Sequence, residues 1–199
     1  CLSDYTQCFA CIFPATPQYY LYTDSCVLPT TALPPGFGPN ATSLAIEPCL
    51  DPHCLDCYLD LSLCAGCNST QLYFLNVSTQ ACTHRDNILP TQGIDWATLR
   101  IVPCASAGCL NCFDNATVCL ACDVPSGYFL NETLNACVHF SGLPPGIGGN
   151  KVTGGISNCL DAVGCSVCRA DYTVCEQCAY TQGYFMNTTT SSCLNASQI

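Results

Sequence analysis

The sequence predicts small disulfide-rich repeats: short β-hairpins and irregular loops in a tandem, rod-like or solenoid array, with almost no helix. Three observations carry that prediction. Cysteine supplies 22 of 199 residues, a density that marks a disulfide scaffold. The cysteines recur with a 55-residue period. Short aromatic runs ending in Asn, Ser or Thr lie between them, and no segment has helical periodicity.

The period comes first, because an internal repeat decides how the rest is read. Cys49, Cys104 and Cys159 are each 55 residues apart. Each opens the same series. The second repeat runs Cys49, Cys54, Cys57, Cys64, Cys67, Cys82; the third runs Cys104, Cys109, Cys112, Cys119, Cys122, Cys137; the fourth runs Cys159, Cys165, Cys168, Cys175, Cys178, Cys193. Cys1, Cys8, Cys11 and Cys26 match the last four positions, so the first repeat begins at its third cysteine. The predicted organisation is a partial repeat over 1–26, repeats over 49–82, 104–137 and 159–193, and linkers over 27–48, 83–103 and 138–158. Residues 194–199 read as the start of a further linker. A broken first repeat leads us to expect continuity beyond residue 1.

After the fifth cysteine comes an aromatic run: Tyr73-Phe74-Leu75-Asn76, Tyr128-Phe129-Leu130-Asn131 and Tyr184-Phe185-Met186-Asn187, with Tyr19-Tyr20-Leu21-Tyr22 in the first repeat. Such a run followed by Asn, Ser or Thr reads as strand and then turn. Residues 128–138 are therefore expected to form a small hairpin. The linkers carry Leu-Pro-x-x-Gly-like punctuation, from Leu33-Pro34 to Gly38, from Leu89-Pro90 to Gly93 and from Leu143-Pro144 to Gly148; Pro and Gly break helix and mark turns. They also hold Phe37, Ile94, Trp96, Leu99, Ile101, Ile147 and Val152. A freely solvated linker is more polar, so these segments are expected to dock on a neighbouring repeat or chain. A 55-residue unit buries little core and needs staples.

Seven Asn-x-Ser/Thr sequons occur, at Asn40, Asn68, Asn76, Asn115, Asn131, Asn187 and Asn195. Chance gives roughly two from this composition under the acceptor rule. The excess points to a secretory route that attaches N-glycans. Disulfide density points the same way, to an oxidising, extracellular or cell-surface location. No secretory signal is visible, so the chain reads as a mature piece or a segment of something longer. Net charge is −10, with Arg85, Arg100, Lys151 and Arg169 the only Lys or Arg residues. Phosphate backbones are bound by clusters of such cations, so nucleic acid is an unsuitable partner. No run of 18 apolar residues exists, so no membrane insertion is expected in this segment. Charged residues make up only 9%, which suits a surface covered by glycans or by assembly.

The cysteine spacing, with Gly127-Tyr128-Phe129-Leu130 and the pairs Gly108-Cys109 and Gly164-Cys165, resembles the furin-like or growth-factor-receptor cysteine-rich repeat. The linkers Leu33-Pro34-Pro35-Gly36-Phe37-Gly38 and Leu143-Pro144-Pro145-Gly146-Ile147-Gly148 look like those of the long extracellular cysteine-repeat surface proteins of ciliated protists. Spacing alone leaves 15 pairings open for six cysteines. The resemblance implies first with third, second with fourth and fifth with sixth: Cys49–Cys57, Cys54–Cys64, Cys67–Cys82, Cys104–Cys112, Cys109–Cys119, Cys122–Cys137, Cys159–Cys168, Cys165–Cys175 and Cys178–Cys193. In the partial repeat it implies Cys11–Cys26. It leaves Cys1 and Cys8 without their family partners: they could pair with each other, but the expectation is that they are unpaired within the chain or paired outside it.

Other chemistries fit less well. Cys54, Cys57, Cys64 and Cys67 have spacings a zinc site uses, but that site needs reduced thiolates and leaves two cysteines per repeat over. Asp51, Asp56 and Asp60 match no calcium loop and read as solvated carboxylates. His53, His84 and His139 read as unrelated loop or stem residues, and no triad is assembled around them. Trp96 is divided between a core plug and interface burial. The expectation is a non-enzyme with no cofactor beyond covalent N-glycans. The leading function is a structural extracellular glycoprotein that forms or coats a filament or surface layer. Its expected partners are copies of itself or further repeats of the same polypeptide. The alternative is a receptor or adhesin ectodomain that binds a protein or glycan ligand. A protease inhibitor or toxin scaffold fits poorly, because four near-equal repeats are not a single short module.

Overall fold

The computed structural model describes residues 8, 10–11, 18–28, 33–161 and 163–198. By internal contacts the chain divides into two units, 1–88 with 94–102 and 89–93 with 103–199. Among the described residues there is no α-helix, only strands and short 3-10 turns. In chain order the first strands are β1 (Tyr20–Tyr22), β2 (Ser25–Val27), β3 (Phe37–Asn40), β4 (Ala45–Pro48), β5 (Cys54–Asp56), β6 (Gly66–Cys67), β7 (Tyr73–Asn76), β8 (Ala81–His84), β9 (Gln92–Asp95) and β10 (Arg100–Pro103). Next come β11 (Cys109–Asn111), β12 (Ala121–Cys122), β13 (Tyr128–Asn131), β14 (Ala136–His139), β15 (Ile147–Gly149) and β16 (Ile156–Asn158). The last are β17 (Cys165–Val167), β18 (Gln177–Cys178), β19 (Tyr184–Asn187) and β20 (Ser192–Asn195).

Each full repeat combines two small sheets. A two-stranded ribbon within the cysteine cluster pairs the second cysteine with the fifth: Cys54 opposite Cys67, Cys109 opposite Cys122 and Cys165 opposite Cys178. An aromatic hairpin follows, as in β13–β14, where Phe129 lies opposite Val138 and Leu130 opposite Cys137. The linkers are not irregular spacers. Residues 37–48 form the hairpin β3–β4, and residues 147–158 form β15–β16. In the first unit the sheet order is β2-β1-β4-β3, with β1 and β4 parallel through Leu21 and Ala45.

One turn builds both kinds of hairpin. Its first residue is Asn or Asp, at Asn40, Asn76, Asp95, Asn131, Asn150 and Asn187. The side-chain oxygen accepts the N–H two residues on, from Thr42 (2.8 Å), Ser78 (3.0 Å), Ala97 (3.0 Å), Thr133 (3.1 Å), Val152 (3.0 Å) and Thr189 (3.0 Å). This local bond competes with strand extension and reverses the chain. Four residues after each Asn or Asp stands a residue with positive φ: Leu44 (58°), Gln80 (52°), Leu99 (56°), Asn135 (49°), Gly154 (77°) and Ser191 (51°). Left-handed backbone costs an L-residue about 1–2 kcal/mol, so the turn is favoured by its Asx side chain and tolerated at its exit.

The core is mostly sulfur. In the fourth repeat Cys159, Cys165, Cys168, Cys175, Cys178 and Cys193 form the buried cluster, with Tyr172, Tyr184 and Met186 against it. Ten described disulfides supply the connections that apolar burial does not: Cys11–Cys26, Cys49–Cys57, Cys54–Cys64, Cys67–Cys82, Cys104–Cys112, Cys109–Cys119, Cys122–Cys137, Cys159–Cys168, Cys165–Cys175 and Cys178–Cys193. These are the pairs the resemblance implied. A correction falls on Cys8. It was expected to lack a partner in the chain, yet it is buried and disulfide-bonded. The expectation carried the full-repeat pairing onto a partial repeat, where the usual partners are missing. Cys1 lies outside the described residues.

Candidate functional site

Two surfaces recur and are the candidates for function: the sequon turns and the interface that each linker hairpin makes. The sequons lie at turns or at the mouths of turns, and all seven asparagines are half-buried. At Asn76, Asn131 and Asn187 the turn described above holds the side-chain oxygen. At Asn115 the Thr117 N–H and hydroxyl both donate to Oδ1, at 2.9 and 2.8 Å. At Asn68 the Thr70 hydroxyl donates at 2.6 Å, and at Asn195 the Ser197 N–H donates at 3.2 Å. Asn40 differs. Its Nδ2 donates to Glu47 Oε2 at 2.7 Å, while the Ser43 hydroxyl donates to Glu47 Oε1 at 2.5 Å. The Ser43 hydroxyl and then the Asn40 amide hold the Glu47 carboxyl below its ordinary range.

The linker hairpins are positioned by glycine. A Cβ on Gly38 would lie 2.3 Å from Cys57 O; on Gly93, 2.2 Å from Cys112 O; on Gly148, 2.2 Å from Cys168 O. Only a residue without a side chain lets the strand lie against the third cysteine of the following repeat. These glycines are 55 residues apart. Sequence reasoning noted them as punctuation and missed the close approach, although the spacing was there to be read. Backbone bonds fix the contact. Gly36 N–H donates to Leu55 O at 2.9 Å, and Gly146 N–H donates to Ser166 O at 2.9 Å.

The opposite edge of the linker hairpin meets the hairpin before it. Leu21 N–H donates to Leu44 O at 2.9 Å, Leu75 N–H to Leu99 O at 3.3 Å, and Leu130 N–H to Gly154 O at 2.8 Å. Each acceptor is the residue with positive φ. The strained exit of the turn thus aims a carbonyl at the preceding repeat.

The histidines require a correction. His84 and His139 are 55 residues apart and play one part. Each caps a 3-10 turn, accepting at Nδ1 from Asp86 N–H (3.3 Å) and Ser141 N–H (3.4 Å), and each sets an edge against the tyrosine of its hairpin at 5.1 Å. Asn195 takes the same place in the fourth repeat. His53 stands where the other repeats have Gly108 and Gly164, and its ring stacks on Tyr73 at 3.6 Å. All three rings pack on the tyrosines that open the aromatic hairpins.

Asp51 Oδ2 accepts Cys82 N–H at 2.8 Å, and Asp56 and Asp60 accept the N–H groups of Tyr58 (3.3 Å) and Ser62 (2.7 Å). Asp56 and Asp60 serve their own loops, Asp51 ties its loop to the closing cysteine 31 residues on, and among the described residues the three form no group of potential metal ligands. The clusters of potential metal ligands among the described residues are cysteine triplets such as Cys54, Cys64 and Cys82, whose sulfurs are already in disulfides. Trp96 is not a core plug: half exposed, it sets an edge on Phe74 at 5.4 Å. No helix among the described residues is long and apolar enough to cross a membrane. Comparison with known proteins finds no matching family model, curated protein or solved structure.

Proposed function

We propose that this chain is a structural extracellular glycoprotein, a stretch of disulfide-bonded furin-like repeats that forms or coats a filament or surface layer. It is not an enzyme, and it needs no cofactor beyond N-linked glycans. The observation that supports this reading best is the double use of the linker hairpin. In the first unit β4 pairs with β1 while Gly38 lies on Cys57. In the second unit Gly155 bridges Leu130 while Gly148 lies on Cys168. Contact with both sequence neighbours lets a repeat array propagate in one dimension. Its partners are further repeats of the same kind. Glycans at Asn76, Asn131 and Asn187 would stand on successive turns and keep a weakly charged surface soluble.

Negative-stain imaging of the secreted material tests the assembly: fibres or sheets with a regular axial spacing are expected. Monodisperse particles that bind a foreign ligand would favour the receptor reading. That alternative draws on a hollow lined by Leu59, Leu63, Leu75, Val77, Gln80 and Arg100. Enzymatic removal of N-glycans, followed by intact-mass measurement, is expected to lower the mass in steps of one glycan each.

A further inference from the structure

The aromatic hairpins share one sequence pattern but not one environment. The second residue of the aromatic run is Tyr20, Phe74, Phe129 and Phe185 in the four repeats. The first three are buried, at 8%, 0% and 1% exposure, whereas Phe185 is 44% exposed. The difference does not lie inside the hairpin. β19 and β20 keep the register of the others, with Phe185 opposite Leu194 and Met186 opposite Cys193. What differs is the neighbour. β1 and β7 each carry a parallel strand from a linker hairpin, and β13 carries the bridge from Leu130 to Gly155. Among the described residues nothing pairs with that edge of β19.

The covering groups are known from the other copies. Trp96 sets its edge on Phe74, and a Cβ on Gly149 would lie 2.2 Å from the Phe129 ring. The backbone bond is equally consistent: the residue after the aromatic donates its N–H to the positive-φ carbonyl of the linker turn. In the fourth repeat that donor is Met186.

We infer that the β19 edge, with Phe185 and the Met186 N–H, is a docking site for a β-hairpin of the linker type. The occupant is a four-residue Asx turn with a positive-φ exit, carried by another repeat of this kind. Continuity with the interface seen three times in the chain identifies it. A hairpin brings the parallel strand, the carbonyl for Met186 and the cover for Phe185 together, as β-strand addition requires. A hairpin already seated on its own repeat has no free edge to offer. The donor is therefore an unengaged linker hairpin, not the β3–β4 or β15–β16 of a second folded copy. This inference rests on the repeat-array reading but concerns one edge, so it is tested apart from fibre formation.

The test uses the full chain with a copy of residues 144–193 appended after Ile199, which supplies a linker hairpin and a complete disulfide-bonded repeat. Amide hydrogen exchange is read at Met186, with Leu130 as the covered reference. Appending the copy is expected to slow Met186 exchange about tenfold, the worth of one backbone hydrogen bond, and to leave Leu130 unchanged. Gly154→Pro within the copy cannot adopt the positive φ and is expected to cancel the protection, while intact mass shows the appended disulfides formed. Unchanged Met186 exchange with the copy correctly oxidised overturns the inference. So does a Met186 already as protected as Leu130 in the unextended chain, with sedimentation showing a dimer, since a second copy then covers the edge.

Discussion

The aromatic hairpin β13–β14 and the linker hairpin β15–β16 begin with the same turn and are held by opposite means. In β13–β14 the centre is filled: Phe129 is buried, and Cys137 is tied to Cys122. In β15–β16 the centre is emptied: Gly148 and Gly149 carry no side chain, and the strand closes on Cys168 O and the Phe129 ring. One hairpin is held by a covalent bond whose main effect is on the unfolded chain. The other is held by a native contact that tolerates no added atom. A small protein with a sulfur core uses both, and the two respond to different perturbations.

Removing the covalent closure should have the largest effect. Cys122→Ala with Cys137→Ala is expected to lower unfolding free energy by about 2–4 kcal/mol, read by denaturant titration without reductant. A loss smaller than that from the glycine change below would reverse the ranking of the two devices. Gly148→Val comes next, with a loss of about 1–3 kcal/mol or more from overpacking against backbone. Gly142→Ala is its control, because a Cβ there meets nothing closer than Val138 Cγ1 at 3.8 Å. Equal losses from the two would show that close approach is not what holds the linker.

The shared turn gives smaller effects. Leu99→Gly is expected to raise stability by up to about 1 kcal/mol, since strain at positive φ is relieved and only part is returned as backbone entropy. A clear loss in the denaturation midpoint would mean that the Leu99 side chain matters more than its conformation. The smallest effect is on pH. Asp95 opens one linker turn where Asn40 and Asn150 open the others. The Thr98 hydroxyl, then the Ala97 N–H, hold its carboxyl below the ordinary range. A lowered folded-state value adds stability above the unfolded pKa, near 3.9, which is lost as pH falls through the lower folded value. Ala97 amide exchange should therefore quicken in strong acid, and Asp95→Asn should abolish that change. An acid response that persists in Asp95→Asn would place its origin elsewhere.

Much of the molecule was legible because cysteine spacing is a one-dimensional record. The 55-residue period, the positions of the aromatic strands and the sequon turns follow from residues such as Cys49, Cys104, Tyr128 and Asn131 read in order. The linker hairpins were only half legible. Phe37 and Ile147 announced docking, but Gly38 and Gly148 looked like turn punctuation, because a missing side chain carries no sign of what approaches it. His84 and His139 were misread as unrelated, although their spacing equals the repeat. Their value as turn caps is visible only when Asp86 N–H and Ser141 N–H are seen pointing at the rings.

The sequence by itself determined a cysteine-rich chain of short strands with a 55-residue period and a turn after each aromatic run, since spacing, turn chemistry and strand composition are local properties. Only the tertiary structure decided that the linkers are folded hairpins, that glycine seats them on the next disulfide, and that Phe185 is exposed where Phe74 and Phe129 are buried. Those facts depend on which backbone lies beside which. Such approach is set by contacts between residues far apart in the chain, and no single stretch of sequence records it.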